Sequence, residues 1–176
     1  MANALLRPSR APLTQICLWL LLMTGPAVAG QVTQTPYQPQ KVVFDFFFNE
    51  PQAINSALYW VRGLLNPLTE QPYNYAPEDN DIIIVLHGME LVALAKKNYE
   101  TYSDAVERMR YYADLGVKFK ACGLALADYD YGAEDLYEFT EVVPSALTEL
   151  AHWQLKGYAL ITPQILSKIY AIEKIR

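Results

Sequence analysis

Cysteine is nearly absent from this chain, which carries two in 176 residues, Cys17 and Cys122. Cys17 falls in an N-terminal apolar run that is expected to be removed, so the remaining chain has one thiol and no intramolecular disulfide. Positive charge is also scarce. Fourteen Lys and Arg against nineteen Asp and Glu give a net charge of −5, and no basic stripe is interleaved with aromatics. A broad electrostatic match to nucleic acid is thereby excluded as a partner. Histidine occurs twice, at 87 and 152. Two histidines and a cysteine scattered this way form no zinc-ligand set, so no metal is expected. The dinucleotide and phosphate-loop glycine patterns, H-E-x-x-H, C-x-x-C and G-x-S-x-G are missing too. "DYDYGAED" has the look of a calcium loop but fails: Gly132 falls one place early and Phe139 stands where the bidentate acid belongs.

What is present begins with a distinct N-terminus. Arg7 and Arg10 precede the apolar run "APLTQICLWLLLMTG", and "AVA" at 27–29 supplies small residues at alternate positions. This order predicts a secretory signal peptide over residues 1–29, cleaved after Ala29, and hence a periplasmic or secreted protein. The apolar run is shorter than the ~20 residues of a membrane span, and no second run follows. No stable membrane anchor is expected after cleavage. Residues 30–40, "GQVTQTPYQPQ", are polar and proline-punctuated and read as a flexible lead-in.

Beyond residue 40 the hydrophobic period alternates between that of strands and that of helices. Strands are predicted at 41–48, 81–88, 117–122, 140–143 and 158–162. Between them lie helical segments: one from Pro51 that Pro67 should end, one capped by Ser103 and stopped by Gly116, and one starting at Ser145. Residues 164–176 have Ile165, Ile169 and Ile172 aligned, which predicts a C-terminal amphipathic helix. Strand–helix alternation with continuous apolar strands means an α/β fold, a parallel sheet of about five strands sandwiched by helices.

Chemistry in such sheets collects at the carboxyl ends of the strands. Those ends are Phe48–Asn49, His87–Gly88 and Cys122–Gly123. His87 ends a buried strand beside a glycine, where either a structural bond to a loop carbonyl or a functional role fits. Asp45 interrupts an apolar strand and must find a donor or shift its pKa; it is a partner for the site or, the plainer reading, is paired across the core. His152 lies on a polar helix face and reads as ordinary and solvent-exposed. Cys122 has two readings. It is a small packing residue, or it is a thiol whose position near a helix N-terminus favours the thiolate. Lys118 and Lys120 share its face but lie farther down the strand.

The segments "KVVFDFFFNEPQAINSALYWVRGLLN", "DIIIVLHG", "GVKFKACG" and "EVVPSALTELAHWQLKGYALITP" together resemble the DsrE/DsrF-like sulfur-relay family over residues 41–163, especially its exported single-domain members. The resemblance implies a three-layer α/β/α sandwich and assembly into a trimer or hexamer. It also implies a strand-end cysteine, here Cys122, that carries sulfur as a persulfide; such chemistry needs no cofactor, and a thiol-bearing donor or acceptor protein is the expected partner. His87–Gly88 matches the family's strand-end His-Gly. "LALADYDY" departs from the polar segment that usually follows the cysteine, and Asp45 stands where histidine is frequent. The supporting residues expected around Cys122 are therefore His87, Gly88, Gly123, Asp45 and Asn49. The competing expectation is a noncatalytic ligand-binding or assembly module with a structural cysteine.

Overall fold

The structure is a computed structural model that describes residue 30, residues 33–166 and residues 169–176. The predicted signal peptide, Cys17 included, lies outside the described residues. The chain divides into two units, Met1–Pro36 and Tyr37–Arg176. In the first, residues 30 and 33–36 have no regular secondary structure.

The second unit contains β1 (Lys41–Phe46), α1 (Ala53–Thr69), β2 (Asp81–Leu86), α2 (Tyr99–Asp114), β3 (Lys118–Cys122), α3 (Gly123–Asp128), β4 (Thr140–Val143), α4 (Ala146–Leu155) and β5 (Ala159–Ile161). The strands form one sheet in the order β4-β3-β2-β1-β5, with every neighbouring pair parallel. Alternation along the strands loads the two faces differently. Val42, Phe44, Phe46, Ile82, Ile84, Leu86 and Phe119 join Ile54, Leu58 and Val61 of α1 and Val106 and Met109 of α2 in the larger core. Val43, Ile83, Val85 and Cys122 face the other way, onto Ala146 and Leu150 of α4. The result is the expected α/β sandwich, with α1 and α2 on one face and α4 on the other.

The Gly116 stop acts as read, and two other helix signals do not. Gly116 and Gly157 adopt φ of +88° and +85° after α2 and α4, the left-handed conformation that glycine takes without a Cβ penalty. Pro67, expected to end α1, lies inside its last turn. Leu68 is buried there, and the Glu70 N–H still reaches Asn66 O at 3.1 Å, so packing carries the helix past the proline. α2 begins four residues before Ser103, but its backbone leaves helical geometry at Tyr102, where the serine signal predicts a start.

The predicted C-terminal helix is a correction. Among the described residues beyond Pro163 the sole regular element is a 3-10 turn, Ile172–Lys174. A helix of this length needs tertiary packing on its apolar stripe, and Ile169, central to that stripe, is 84% exposed. Among the described residues no helix is long and apolar enough to cross a membrane.

Candidate functional site

The C-terminal strand ends meet at an open cavity of about 710 Å³. Asn49 and Phe48 from the β1 end, His87 and Gly88 from the β2 end, and Ala125, Asp128 and Tyr129 from the α3 region line it. Cys122 and Gly123 are not among its lining residues. The fold therefore gathers the anticipated residues into two adjoining groups.

The first is a histidine–carboxylate pair. Asp45 and Val85 are register partners, and alternation turns Asp45 and His87 to the α4 side of the sheet. His87 Nε2 lies 2.7 Å from Asp45 Oδ1, and the Thr162 hydroxyl donates to Asp45 Oδ2 at 3.4 Å. The charge that interrupts β1 thus finds its donors at the sheet rim. Phe47 stacks on the imidazole at 4.6 Å with 12° between planes, and the His87 side chain keeps 15% exposure at the cavity wall.

Behind this pair is a residue that sequence reasoning missed. Glu90 is fully buried. Its Oε1 accepts the backbone N–H of His87 at 3.0 Å and of Gly88 at 2.8 Å, and its Oε2 accepts that of Phe48 at 3.0 Å. One carboxylate thus ties the β2 end to the β1 end and fixes the backbone that carries His87. Burial raises the Glu90 pKa above the usual carboxyl range, against the opposing pull of these N–H groups. The available signal was that Glu90 is the lone acid between residues 82 and 95, a run otherwise almost wholly apolar.

Cys122 forms the second group. It is the N-cap residue of α3, with φ −69° and ψ +116°, and is 5% exposed. The thiol is buried, because Ala146 and Leu150 of α4 close over it. Its helix partner is α4 rather than α3, which follows it directly in the chain. No side-chain bond reaches α3, whereas the Ala146 N–H at the start of α4 donates to Sγ at 3.3 Å. Gly123 permits this closure, since a Cβ there would stand 3.1 Å from Val143 O. Lys120, two residues down the strand, is committed to Glu141 at 2.6 Å and Glu149 at 3.4 Å. Burial opposes its charge, but the two carboxylates outweigh it and raise its pKa. His152 is exposed, as expected. Among the described residues no three His, Cys, Asp or Glu side chains are grouped to hold a metal ion.

The two groups are neighbours in register. Leu86 pairs with Ala121 across β2 and β3, so the next residues on these strands are His87 and Cys122. Both turn to the α4 side, each two residues beyond a member of the Val85–Lys120 pair.

The model of the DsrE/DsrF-like family matches residues 41–163. A solved protein of unknown function from Methanobacterium thermoautotrophicum is similar to this chain at 23% identity and a TM-score of 0.56, covering 70% of this chain and 99% of its own. That likeness concerns the fold. No curated protein matches the chain. The family match spans most of the chain, which therefore belongs to the DsrE/DsrF-like family.

Proposed function

We propose that this member of the DsrE/DsrF-like family accepts sulfane sulfur on Cys122 as a persulfide and passes it to a partner thiol. Family membership suggests a sulfur-relay role in general. The observation that carries the finer reading is the Cys122 Sγ at the end of β3, accepting the Ala146 N–H at the start of α4. A helix N-terminus presents unpaired N–H groups and favours negative charge, the form in which sulfur attacks. The thiolate attacks the outer sulfur of a donor, one S–S bond forms as the donor's S–S bond breaks, and the donor leaves one sulfur shorter: a thiolate from a persulfide, a shorter polysulfide from a polysulfide, sulfite from thiosulfate. Transfer onward repeats this exchange, with the acceptor thiolate attacking the outer sulfur and Cys122 leaving. No outside oxidant or reductant is consumed.

Intact mass after incubation with polysulfide or thiosulfate tests the reading. Wild type should gain the mass of one sulfur atom, and Cys122→Ser should gain none. The serine hydroxyl can accept the same Ala146 N–H, so the variant should lose less stability than the ~1–3 kcal/mol of a buried hydroxyl with no partner. A wild type that never gains sulfur mass overturns the proposal. It would favour the second reading, a noncatalytic small-ligand module, which draws on the cavity whose lining omits Cys122.

The proposal includes export by the N-terminal signal peptide to the periplasm or exterior, and assembly into a trimer or hexamer. The exposed apolar side chains of Leu166, Ile169 and Tyr170 support assembly. Light scattering of the full-length mature chain at micromolar concentration should report a trimeric or hexameric mass, and a monomer would refute it.

A further inference from the structure

We infer that His87, oriented by Asp45, is the acid that protonates the departing thiolate of a small persulfide donor held in the strand-end cavity. The inference rests on the sulfur-acceptor reading and adds to it the seat of the donor and the proton it needs. Asp45 Oδ1 lies 2.7 Å from Nε2 and fixes which ring nitrogen faces the carboxylate. Nδ1 is then the nitrogen left for a molecule in the cavity that His87 lines. The ring cannot easily turn away. Phe47 stacks on one face, the His87 N–H is bonded to Phe46 O at 3.1 Å and to Glu90 Oε1 at 3.0 Å, and Thr162 holds the second oxygen of Asp45.

Position then links this ring to the sulfur. His87 and Cys122 each follow a member of the last register pair of β2 and β3, Leu86–Ala121, and alternation turns both to the same face. The sulfur itself is engaged by α4 and the imidazole by β1, so neither is bonded to the other. A donor in the cavity is what joins them: its terminal sulfur toward Cys122, its inner sulfur toward His87. Ala125 lines the cavity and packs against the cluster that contains Cys122, so it borders both.

The step balances. Cys122 enters as thiolate, its proton having gone to water. The Cys122 Sγ–sulfane bond forms, the donor S–S bond breaks, and the electron pair goes to the inner sulfur. His87 enters as the imidazolium with Nε2–H donated to Asp45, delivers its Nδ1 proton to that sulfur, and regains one from water. The products are the Cys122 persulfide and the free small thiol.

The test compares two donors on the full-length mature chain, reading sulfur loading on Cys122 by intact mass over time. Cysteine persulfide releases an alkyl thiolate, a poor leaving group that needs the proton. Para-nitrothiophenol persulfide releases an acidic aryl thiol that leaves without it. His87→Gln keeps a donor toward Asp45 but offers no transferable proton. It should load about 100-fold more slowly from cysteine persulfide, and close to the wild-type rate from the aryl donor. In His87→Ala, added imidazole should restore part of the rate with cysteine persulfide. Equal slowing with both donors would mean that His87 only holds the site in shape, and no slowing with either would mean that it takes no part. Both results overturn the inference while leaving Cys122 as the acceptor. A wild type that loads from neither donor removes the sulfur-acceptor reading itself.

Discussion

Gly88→Ala should unfold near 10 °C below wild type in a thermal melt, roughly the effect of a loss of 3 kcal/mol in a domain of this size. The cause is a close approach of two strand ends. A Cβ on Gly88 would stand 2.5 Å from Phe48 N, Phe48 O and Glu90 Oε2. Two of those atoms are backbone and cannot step aside by changing rotamer. They are also engaged: Phe48 N–H donates to Glu90 Oε2 at 3.0 Å, and Met89 N–H donates to Phe48 O at 2.8 Å. The methyl would therefore land on two hydrogen bonds at once. Overpacking a tight site costs ~1–3 kcal/mol, and a buried N–H left without its partner adds ~1–3 kcal/mol, so the combined effect should reach the upper part of the first range or beyond. Gly63→Ala is the matched control. It lies within α1, and a Cβ there meets nothing within 4 Å. Alanine in a helix interior should gain ~0.5–1 kcal/mol over glycine, so this variant should melt at or above wild type. A Gly88→Ala protein that melts with wild type would mean that the two strand ends can separate freely, and the fixed seat of His87 would go with them.

The same corner explains how far the site was legible beforehand. The apolar run through Phe47 and Phe48 predicts a strand over 41–48, two residues longer than the ladder. In the fold those two leave the ladder. Phe47 stacks on His87, and the N–H of Phe48 turns to the Glu90 carboxylate. A side chain 42 positions away replaces the sheet there, and local periodicity carries no trace of that. Asp45 was recognisable as an acid in need of a donor, but His87 became that donor only through the β1–β2 register. The layering was legible since it depends on the 2.0 and 3.6 residue periods alone. For Cys122 the sequence leaves a packing residue and a reactive thiol both open, and what buries it is where α4 sets its first turn. The C-terminal stripe failed for the opposite reason: its period is helical, but within the described residues Ile169 and its neighbours remain exposed, without the packing that a short helix requires.

Glu90→Gln should weaken the protein most in mild acid and progressively less as pH rises. Two opposing terms set this. Glutamine keeps one oxygen for the N–H groups of His87 and Gly88, but its amide NH₂ then faces the Phe48 N–H, donor against donor. That mismatch costs ~1–3 kcal/mol and does not depend on pH. Wild type carries the pH-dependent term. Burial raises the Glu90 pKa in the folded chain above its value in the unfolded one. Between those two values the folded state binds the extra proton, so wild-type stability is favoured at low pH and falls as pH rises through the raised pKa. Above it, the folded chain holds a buried carboxylate whose desolvation is only partly offset by three N–H donors. The glutamine variant has no such loss. Subtracting its unfolding free energy from that of wild type, at a series of pH values, cancels every other titrating group that the substitution leaves alone. The difference should shrink as pH rises across the window that begins at the ordinary glutamate pKa. A difference that grows with pH would mean that the three N–H groups outweigh burial and hold Glu90 below its ordinary pKa. The clamp would then stabilise the ionised form, and Glu90 would anchor the His87 turn through charge rather than in spite of it.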